Sequence, residues 1–434
     1  MGVRQGRPID GGRREGSAGV DALNVLDRRD PARRSWGLAP PRLWRSSLLS
    51  IGALAVGLAL AGVDPLPRRA VSDSTGPPLR PALEALETAT VIDGALRPSP
   101  RPAPPPPLLG GPATLVAPLT GPSSRDRTHR RWHVYGADLG HLIEHRDGLY
   151  MVFGDTFGPG LLDWRSNSLA RVGRVGREGI RLAAFATAPT GHAKEILSSK
   201  KAADQEVTVI PTGGIAEGSR IFLHYLSVRY WGPAHGQWTA NFAGLAYSDD
   251  GGETWTSPRT PRWPGTTDFG QVGFVRHEGY VYLLGTPAGR FGGMRLARVL
   301  PADLLDGNAY RYWDGSDWVA EPSAATLVLP PAVGELSVRW NEHLGAWLLA
   351  YFDEARDAIV FRAGEQLTGP WSSPTIVATK AVFPGLYAPF LVPGISEGSE
   401  VHFTMSMYHA VDKNPYQVYL VRVPLAPAPA SPAH

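Results

Sequence analysis

The sequence predicts an all-β protein folded as a five-bladed β-propeller, and three observations lead to that prediction. The first is the run LYMVF at residues 149–153, which is apolar throughout and does not alternate with polar residues. A strand of this kind is covered on both faces. The second is that similar strands recur four more times. The third is a composition of 50 glycines and 41 prolines, which favours many turns over long helices.

The repeating unit is a shorter strand, a Gly-containing turn and a longer apolar strand. The five longer strands are GLYMVFGDTF, GSRIFLHYLSV, EGYVYLLGTPA, LGAWLLAYFDE and GSEVHFTMSMYH, with centres about 63 residues apart on average. Third and fourth strands follow several of these pairs, as in IVFRAGEQLTGPWSSP. Four-stranded units repeated around a ring form a β-propeller, in which neighbouring blades cover each other's faces.

A local motif at residues 248–255 agrees with this architecture. The sequence SDDGGETW fits the pattern S-x-D-x-G-x-T-W, the Asp box of sialidase-like propellers. Its Asp and Gly shape a tight turn between outer strands, and its Trp packs into the blade. We interpret the motif as structural rather than catalytic.

The chain divides into five segments. Residues 1–45 are rich in Arg and Gly without hydrophobic periodicity, and we expect a disordered basic tail. Residues 46–63 carry one hydrophobic helix, either a signal peptide or a membrane anchor, with a buried core helix as the alternative. Residues 64–125 form a Pro-rich linker, residues 126–424 the propeller, and residues 425–434 a disordered tail. This order predicts a propeller held outside the cytoplasm, secreted or anchored at the cell envelope.

Composition excludes several classes of function. The absence of cysteine excludes a disulfide framework and a thiolate zinc site. The net charge is +3, but the basic excess lies in the first 45 residues, so the propeller lacks the basic surface that nucleic acid requires. We expect a monomer without a cofactor, touching a membrane only through an uncleaved N-terminal segment.

Two aspartates of the first blade are the candidate catalytic residues. The strands at 138–145 and 149–155 are joined by a turn with the D-G hairpin signal. Asp138 opens the first strand and Asp155 closes the second, so the hairpin brings both to one rim. Opposed positions would leave the carboxyl groups about 5–6 Å apart, which suits a retaining glycosidase. The alternative is structural: Asp155 as an Asx turn and Asp138 as a loop cap.

The same reasoning sends further polar and aromatic side chains to this rim. Carboxylates perform acid–base chemistry, aromatic rings stack on sugars and polar groups bind hydroxyls, so such a rim is typical of a sugar-processing site. The candidate substrate-binding residues come from three places: Glu206, Gln271, Glu335 and Tyr387 from the starts of first strands, Arg229 and His409 from the ends of second strands, and Trp231, His224, Arg339 and Asn341 from nearby loops.

Other catalytic chemistries find less support. No metal site is predicted, because the histidines in or before the first strand pair are irregularly spaced and no cysteine is available. These histidines are His129, His133, His141 and His145. A site for a cation such as calcium in the channel stays open as an alternative, since carboxylates and carbonyls are plentiful there. A Ser-His-Asp triad has no support without a G-x-S-x-G elbow.

Four stretches carry a family resemblance: DLGHLIEHRDGLYMVFGDTF, IPTGGIAEGSRIFLHYLSVRYWG, NFAGLAYSDDGGETW and GELSVRWNEHLGAWLLAY. They resemble the actinobacterial domain of unknown function 4185, over about residues 126–424. The resemblance implies a five-bladed propeller and an endo-D-arabinanase acting on mycobacterial-type cell-wall arabinogalactan or lipoarabinomannan. It also implies two catalytic aspartates, which fall on Asp138 and Asp155, with Asp138 favoured as the nucleophile.

Two other functions stay open at this point. One is a non-catalytic propeller that holds cell-wall polysaccharide at the same rim, although two opposed aspartates would then be unexplained. The other is a sialidase-like hydrolase, suggested by the Asp box. A sialidase needs an arginine cluster for the substrate carboxylate, and the predicted rim has few arginines.

Overall fold

The computed structural model describes residues 108–409 and 413–427. The predicted basic tail, the hydrophobic helix, most of the linker and the last seven residues of the chain lie outside those ranges. Among the described residues, no helix has the length and apolarity needed to cross a membrane. They form five antiparallel sheets, which confirms the predicted all-β, five-bladed propeller.

Strand β1 (Thr114–Pro118) and the short helix α1 (Thr128–Arg131) precede the first blade. The first blade contains β2 (Gly136–His145), β3 (Gly148–Phe157), β4 (Ser168–Gly176) and β5 (Gly179–Phe185). The second contains β6 (Thr208–Glu217), β7 (Arg220–Trp231), β8 (Trp238–Ser248) and β9 (Arg262–Pro264).

The third blade contains β10 (Gln271–His277), β11 (Tyr280–Thr286), β12 (Arg295–Val299), β13 (Arg311–Trp313) and β14 (Trp318–Val319). The fourth contains β15 (Leu336–Asn341), β16 (Ala346–Asp353), β17 (Ala358–Gly364) and β18 (Thr375–Thr379). The fifth contains β19 (Leu386–Leu391), β20 (Glu400–Tyr408) and β21 (Tyr416–Pro424). Single 3₁₀ turns span Pro159–Leu161, Pro301–Asp303 and Pro322–Ala324.

The first strands of the blades form the inner ring of the propeller. Each of β2, β6, β10, β15 and β19 contacts the corresponding strand of the next blade, and β19 contacts β2. The second strand of each blade runs antiparallel to the first. The start of a first strand and the end of its second strand therefore share one end of the channel, as predicted.

Strand β3 shows why an apolar run without alternation is stable here. Met151 and Phe153 pack into a cluster shared with the fifth blade, which includes Leu420. The intervening Val152 packs into a different cluster, shared with Leu223 of the second blade. Because both faces meet a neighbouring blade, every side chain of the run gains from burial.

The ring is closed by a strand that the sequence analysis placed in the linker. Strand β1 pairs with β21 as the outermost strand of the fifth blade. A further bridge joins Leu109 to Leu425, and Leu425 is buried. The predicted boundaries at residues 126 and 424 are therefore wrong. The error has a physical reason: TLVAP sits among prolines, and only its distant partner strand makes it a strand.

The Asp-box residues form a structural turn, as predicted. The Ser248 hydroxyl donates to Asp250 (2.8 Å) and accepts from the Gly252 amide (2.8 Å). Asp250 also accepts from the backbone amide of Thr254, at 2.9 Å. The Trp255 indole donates to the Gly252 carbonyl, at 3.0 Å. These bonds close the connection that follows β8 and lie apart from the channel.

Candidate active site

A cavity opens at the channel end where the first strands begin, and all five blades contribute to its wall. Six side chains predicted for the rim line it: Asp138, Asp155, Trp231, Gln271, Glu335 and Tyr387. The remaining lining residues are Leu139, Ile210, Pro211, Thr212, Leu226, Val228, Trp238, Val272, Arg290, Leu336 and Phe390. The wall therefore combines three carboxyl groups and one guanidinium with aromatic and aliphatic surface.

Asp138 lies on an irregular part of the β2–β3 ladder. Ala137 pairs with Thr156 and Leu139 pairs with Phe153, so Asp138 faces two residues of the neighbouring strand. The regular opposed register that the sequence predicted is thus interrupted by a bulge, a feature common beside active sites. Leu139 has a φ of 63°, an uncommon backbone conformation for a bulky residue.

Asp155 is held by two hydrogen bonds from other segments. The Trp164 indole donates to its Oδ1 at 2.8 Å, and the Thr208 hydroxyl donates to the same oxygen at 3.0 Å. Burial raises the pKa of Asp155 to about 6, while these two bonds favour the charged form and limit the rise. A carboxyl group with this pKa is ionised at neutral pH.

The surroundings of Asp138 raise its pKa further than those of Asp155 raise the pKa of that residue. Burial raises the pKa of Asp138 well above its usual range, and the nearby Asp155 carboxylate raises it further. The Tyr387 hydroxyl donates to Asp138 Oδ2 at 2.8 Å and offsets part of the rise. The other oxygen, Oδ1, has no hydrogen-bond partner. These surroundings favour the protonated form of Asp138.

Arg290 is a buried cavity residue that forms ion pairs with two glutamates. Its guanidinium bonds Glu335 Oε1 at 2.7 Å and lies 3.6 Å from Glu354 Oε2. Its side chain is only 8% exposed, and it packs over the Tyr387 ring at 4.9 Å. The two carboxylates compensate the buried charge of Arg290. The short ion pair also fixes the position of Glu335 in the cavity wall.

Two tryptophans flank the cavity. Trp231 ends β7, Trp238 begins β8, and their rings meet edge to face at 5.7 Å and 74°. Trp231 is 41% exposed, which leaves its ring available for a ligand.

Gln271 is held in the cavity wall by hydrogen bonds to the backbone. Its side-chain amide donates to the carbonyls of Pro287 (3.2 Å) and Gly289 (2.7 Å).

Two predicted binding residues lie at the wrong end of the channel. Arg339 forms ion pairs with Glu144 at 2.9 Å and Glu397 at 3.0 Å. The Asn341 side chain is buried at the end of β15, where it donates to the Ser396 carbonyl at 2.9 Å. Both follow Glu335 along β15, and a strand advances about 3.3 Å per residue. They were mistakenly assigned to the loops of the rim.

Four further predicted residues do not line the cavity. Glu206 accepts from the Ser227 hydroxyl at 2.6 Å. Arg229 is exposed and donates to the Asp204 carbonyl. His409 hydrogen-bonds through its amide to the Pro415 carbonyl. His224 is buried behind the wall.

His224 nevertheless touches the cavity wall indirectly. Its Nδ1 forms a 2.6 Å hydrogen bond with the hydroxyl of Thr212, which lines the cavity. Burial lowers the pKa of His224 to about 3, so the ring is neutral. It positions Thr212 and is not placed to contact a ligand.

Five residues of the site were not predicted from the sequence: Trp164, Thr208, Thr212, Trp238 and Arg290. Trp238 could have been found, because third strands begin at the rim where second strands end. Arg290 follows the end of β11 and could have been found in the same way. Trp164 lies in a loop without periodicity, and no signal in the sequence points it at Asp155.

Two of the histidines considered as metal ligands, His141 and His133, lie in different surroundings. His141 is buried near Phe390, and burial lowers its pKa to about 3. His133 approaches two residues that the sequence analysis did not consider, Asp163 and His192, outside the cavity.

Comparison with known proteins adds a family and a fold. Residues 123–422 match the family described as "Domain of unknown function (DUF4185)". The chain is 29% identical over 307 residues to "Notoamide biosynthesis cluster protein J" of Aspergillus sp. (strain MF297-2), covering 64% of this chain and 80% of that protein. A solved structure from Bacteroides ovatus ATCC 8483 is similar with a TM-score of 0.50 and 14% identity, covering 68% of this chain and 87% of that chain. This structural likeness concerns the fold alone.

Proposed function

The chain belongs to the DUF4185 family, and we propose that it is a glycoside hydrolase that uses Asp138 and Asp155 as its catalytic pair. The observation that carries the proposal is the contrast between these two carboxyl groups in one cavity. Burial and the Asp155 charge favour a proton on Asp138, while two donated hydrogen bonds favour the ionised form of Asp155. Most glycoside hydrolases cleave the glycosidic bond with one carboxylic acid and one carboxylate.

The contrast also assigns the roles. Asp138 is the general acid, which protonates the leaving oxygen as the glycosidic bond breaks. Asp155 is the carboxylate that acts on the anomeric carbon. This assignment reverses the expectation of Asp138 as nucleophile, because a nucleophile must be ionised and Asp138 is the group with the stronger reasons to hold a proton.

We further propose that the reaction retains anomeric configuration. The carboxyl groups lie on adjacent strands, and the charge on Asp155 raises the pKa of Asp138. Such closeness favours a retaining pair, at about 5–5.5 Å, over an inverting pair at about 6.5–9.5 Å. Asp155 would attack the anomeric carbon and Asp138 would protonate the departing oxygen. Asp138 would then take a proton from the water that cleaves the glycosyl–Asp155 ester.

The proposed substrate is D-arabinan, cleaved within the polymer. Support comes from the family resemblance carried by the FGDTF and PTGGI segments. The exposed ring of Trp231 offers a platform for a sugar face. A polymer of the cell wall would place the propeller outside the cytoplasm, and the apolar segment at residues 46–63 suits export or anchoring.

The cavity favours a neutral sugar over a sialic acid. Arg290 is the only arginine among the described residues that line it, and Glu335 and Glu354 already neutralise its guanidinium. A substrate carboxylate would meet three carboxyl groups and no free cation. A purely sugar-binding propeller is also less favoured, because binding alone would not need a carboxyl group held protonated beside an ionised one.

The test is to incubate the full-length protein with purified arabinogalactan and to separate the products by chromatography. Release of D-arabinose oligosaccharides of several lengths supports the proposal. A β-galactan and a sialylated oligosaccharide serve as alternative substrates. NMR of the first reducing ends reports stereochemistry, and prompt appearance of the anomer opposite to that of the substrate would refute the retaining course. Intact arabinogalactan after prolonged incubation would refute the substrate assignment.

A further inference from the structure

Three potential metal ligands meet on the surface of the first blade, outside the cavity. His133 follows helix α1, Asp163 lies in the loop between β3 and β4, and His192 follows β5. Asp163 Oδ2 lies 3.7 Å from His133 Nε2 and 4.0 Å from His192 Nδ1. The three ligand atoms all lie within 4.8 Å of one another.

We propose that His133, Asp163 and His192 form a binding site for a divalent transition-metal ion, and that Zn²⁺ binds it. Two imidazoles and one carboxylate are a donor set that suits zinc and its neighbours in the first transition row. Calcium and magnesium prefer sites made of oxygen atoms, so the donor set disfavours both.

The spacing of the donors is close to that of a bound ion. Zinc bonds of about 2.0–2.1 Å in tetrahedral geometry place neighbouring ligand atoms about 3.3 Å apart. The pairs of Asp163 with His133 and with His192 exceed this by less than about 1 Å. The two imidazole rings stack at 4.1 Å with an angle of 10°. Because an imidazole nitrogen binds a metal in the plane of its ring, one ring must rotate out of this stack to close the site around an ion.

A buried arginine holds the three ligand-bearing segments together. The Arg165 guanidinium donates to the carbonyls of Asp163 (3.1 Å), His133 (3.0 Å) and Ala193 (3.0 Å). Ala193 directly follows His192. Because one side chain that is 7% exposed ties these three segments, the ligands are positioned before an ion arrives, which lowers the ordering cost of binding.

A glycine makes room for the first ligand. A Cβ atom at Gly158 would lie 3.0 Å from His133 Nε2 and 3.1 Å from the Asp163 side chain. Those distances are tighter than ordinary side-chain packing, so a larger residue at this position would crowd both ligands. The close approach of His133 and Asp163 depends on this position having no side chain.

The charges of the site work in both directions. Arg165 lies 3.6 Å from Asp163 Oδ2, so its guanidinium opposes a dication and limits the affinity. The Asp163 carboxylate acts in the opposite sense, because its negative charge attracts a cation to the two neighbouring imidazole nitrogens.

The site is adjacent in sequence to the catalytic pair. Asp163 directly precedes Trp164, whose indole donates to Asp155. An ion that fixes Asp163 would also restrain the loop that holds Trp164. Metal binding itself does not depend on the proposed hydrolase function, so the two can be tested separately.

The test is isothermal titration calorimetry of the full-length protein, made without a polyhistidine tag and treated with a chelator. We expect saturable binding of one Zn²⁺ per chain and no such binding of Mg²⁺. His192→Ala and Asp163→Asn should each weaken zinc binding at least about tenfold, because even the loss of an outer-shell partner has an effect of that size. Both residues are about half exposed, so these substitutions leave the core intact.

His277→Ala is the matched control, because this partly exposed histidine lies 3.7 Å from Glu278 in the third blade. It should bind zinc as the unchanged protein does. The proposal is overturned if the unchanged protein shows no saturable zinc binding. It is equally overturned if His192→Ala and Asp163→Asn bind zinc with unchanged affinity, because the ion would then lie elsewhere.

Discussion

The Oδ1 oxygen of Asp138 lies against the α-carbon of Gly154, where an added Cβ atom would come within 2.4 Å of it. Gly154 belongs to the bulged part of the ladder that also carries Asp155. The position of the acid therefore depends on a residue that has no side chain of its own.

Gly154→Ala is expected to displace the Asp138 carboxyl group and to lower kcat at least about 10²-fold, the typical contribution of an acid–base group. Gly154 does not adopt a positive φ, so alanine is compatible with the backbone and the fold should persist. Gly398→Ala is the control, because nothing lies within 4 Å of a Cβ there. The measurement is the kcat of each variant on arabinan in steady-state kinetics. Equal kcat values for Gly154→Ala and Gly398→Ala would contradict this account of Gly154.

Trp164→Phe should shift the acidic limb of the pH profile upward. The phenyl ring can still stack on Phe157, but the hydrogen bond to Asp155 is lost. That bond favours the ionised carboxylate, and hydrogen bonds to charged groups contribute about 1.5–3 kcal/mol, so the limb should move by about one to two pH units from its position near 6.

The comparison for Trp164→Phe is Trp255→Phe, which loses an indole bond to the Gly252 carbonyl in the Asp-box turn. The dependence of kcat/KM on pH should be unchanged in that variant. An acidic limb that stays in place in Trp164→Phe would show that Asp155 does not set it.

The catalytic pair should make the protein less stable as the pH rises. The pKa of Asp155 is about 6 when folded against a reference value of 3.8, so between these values the folded state binds more protons than the unfolded state. Stability from this group is complete below about pH 4 and is lost as the pH rises through 6. Asp138→Asn removes the second raised pKa and should lessen the fall between pH 4 and pH 8.

Urea unfolding at several pH values would measure this effect. The free energy of unfolding of the unchanged protein should fall relative to that of Asp138→Asn by at least about 1.4 kcal/mol, the equivalent of one pKa unit. Parallel curves for the two proteins would mean that Asp138 is ionised in the folded state at neutral pH.

Arg290→Met should destabilise the propeller strongly. The substitution leaves Glu335 and Glu354 without their buried counter-charge, and breaking a buried ion pair costs about 3–5 kcal/mol. Arg220→Met removes an exposed pair with Asp249 and should cost no more than about 1 kcal/mol. Thermal unfolding of both variants provides the measurement, and similar losses would argue against a structural role for Arg290.

The fold was largely predictable because its signals are local. Each blade contains an apolar strand such as Leu149–Phe153 that has no wet face, and the turn before it is marked by glycine. Closure by β1 was not predictable, since TLVAP pairs with residues about 300 positions later in the chain. Nothing in its own neighbourhood distinguishes it from the prolines around it.

The site was predictable where one hairpin or strand end determines position. Asp138 and Asp155 share a hairpin, and Gln271, Glu335 and Tyr387 stand at the starts of first strands. The prediction failed for Arg339, which was expected in a rim loop but lies on β15 at the far end of the channel. The hydrogen bond from Trp164 and the ion pairs of Arg290 depend on loop paths, which have no periodicity to reveal them.

The central claim is that Asp138 and Asp155 cleave a glycosidic bond, and the most direct test is the rate of reducing-end release from arabinan by single variants. Asp138→Asn and Asp155→Asn should each lower kcat at least about 10²-fold while their circular dichroism spectra match that of the unchanged protein. Asp249→Asn, which alters an exposed aspartate of the Asp-box turn, should keep its activity. Near-normal release by either Asp138→Asn or Asp155→Asn would contradict the account.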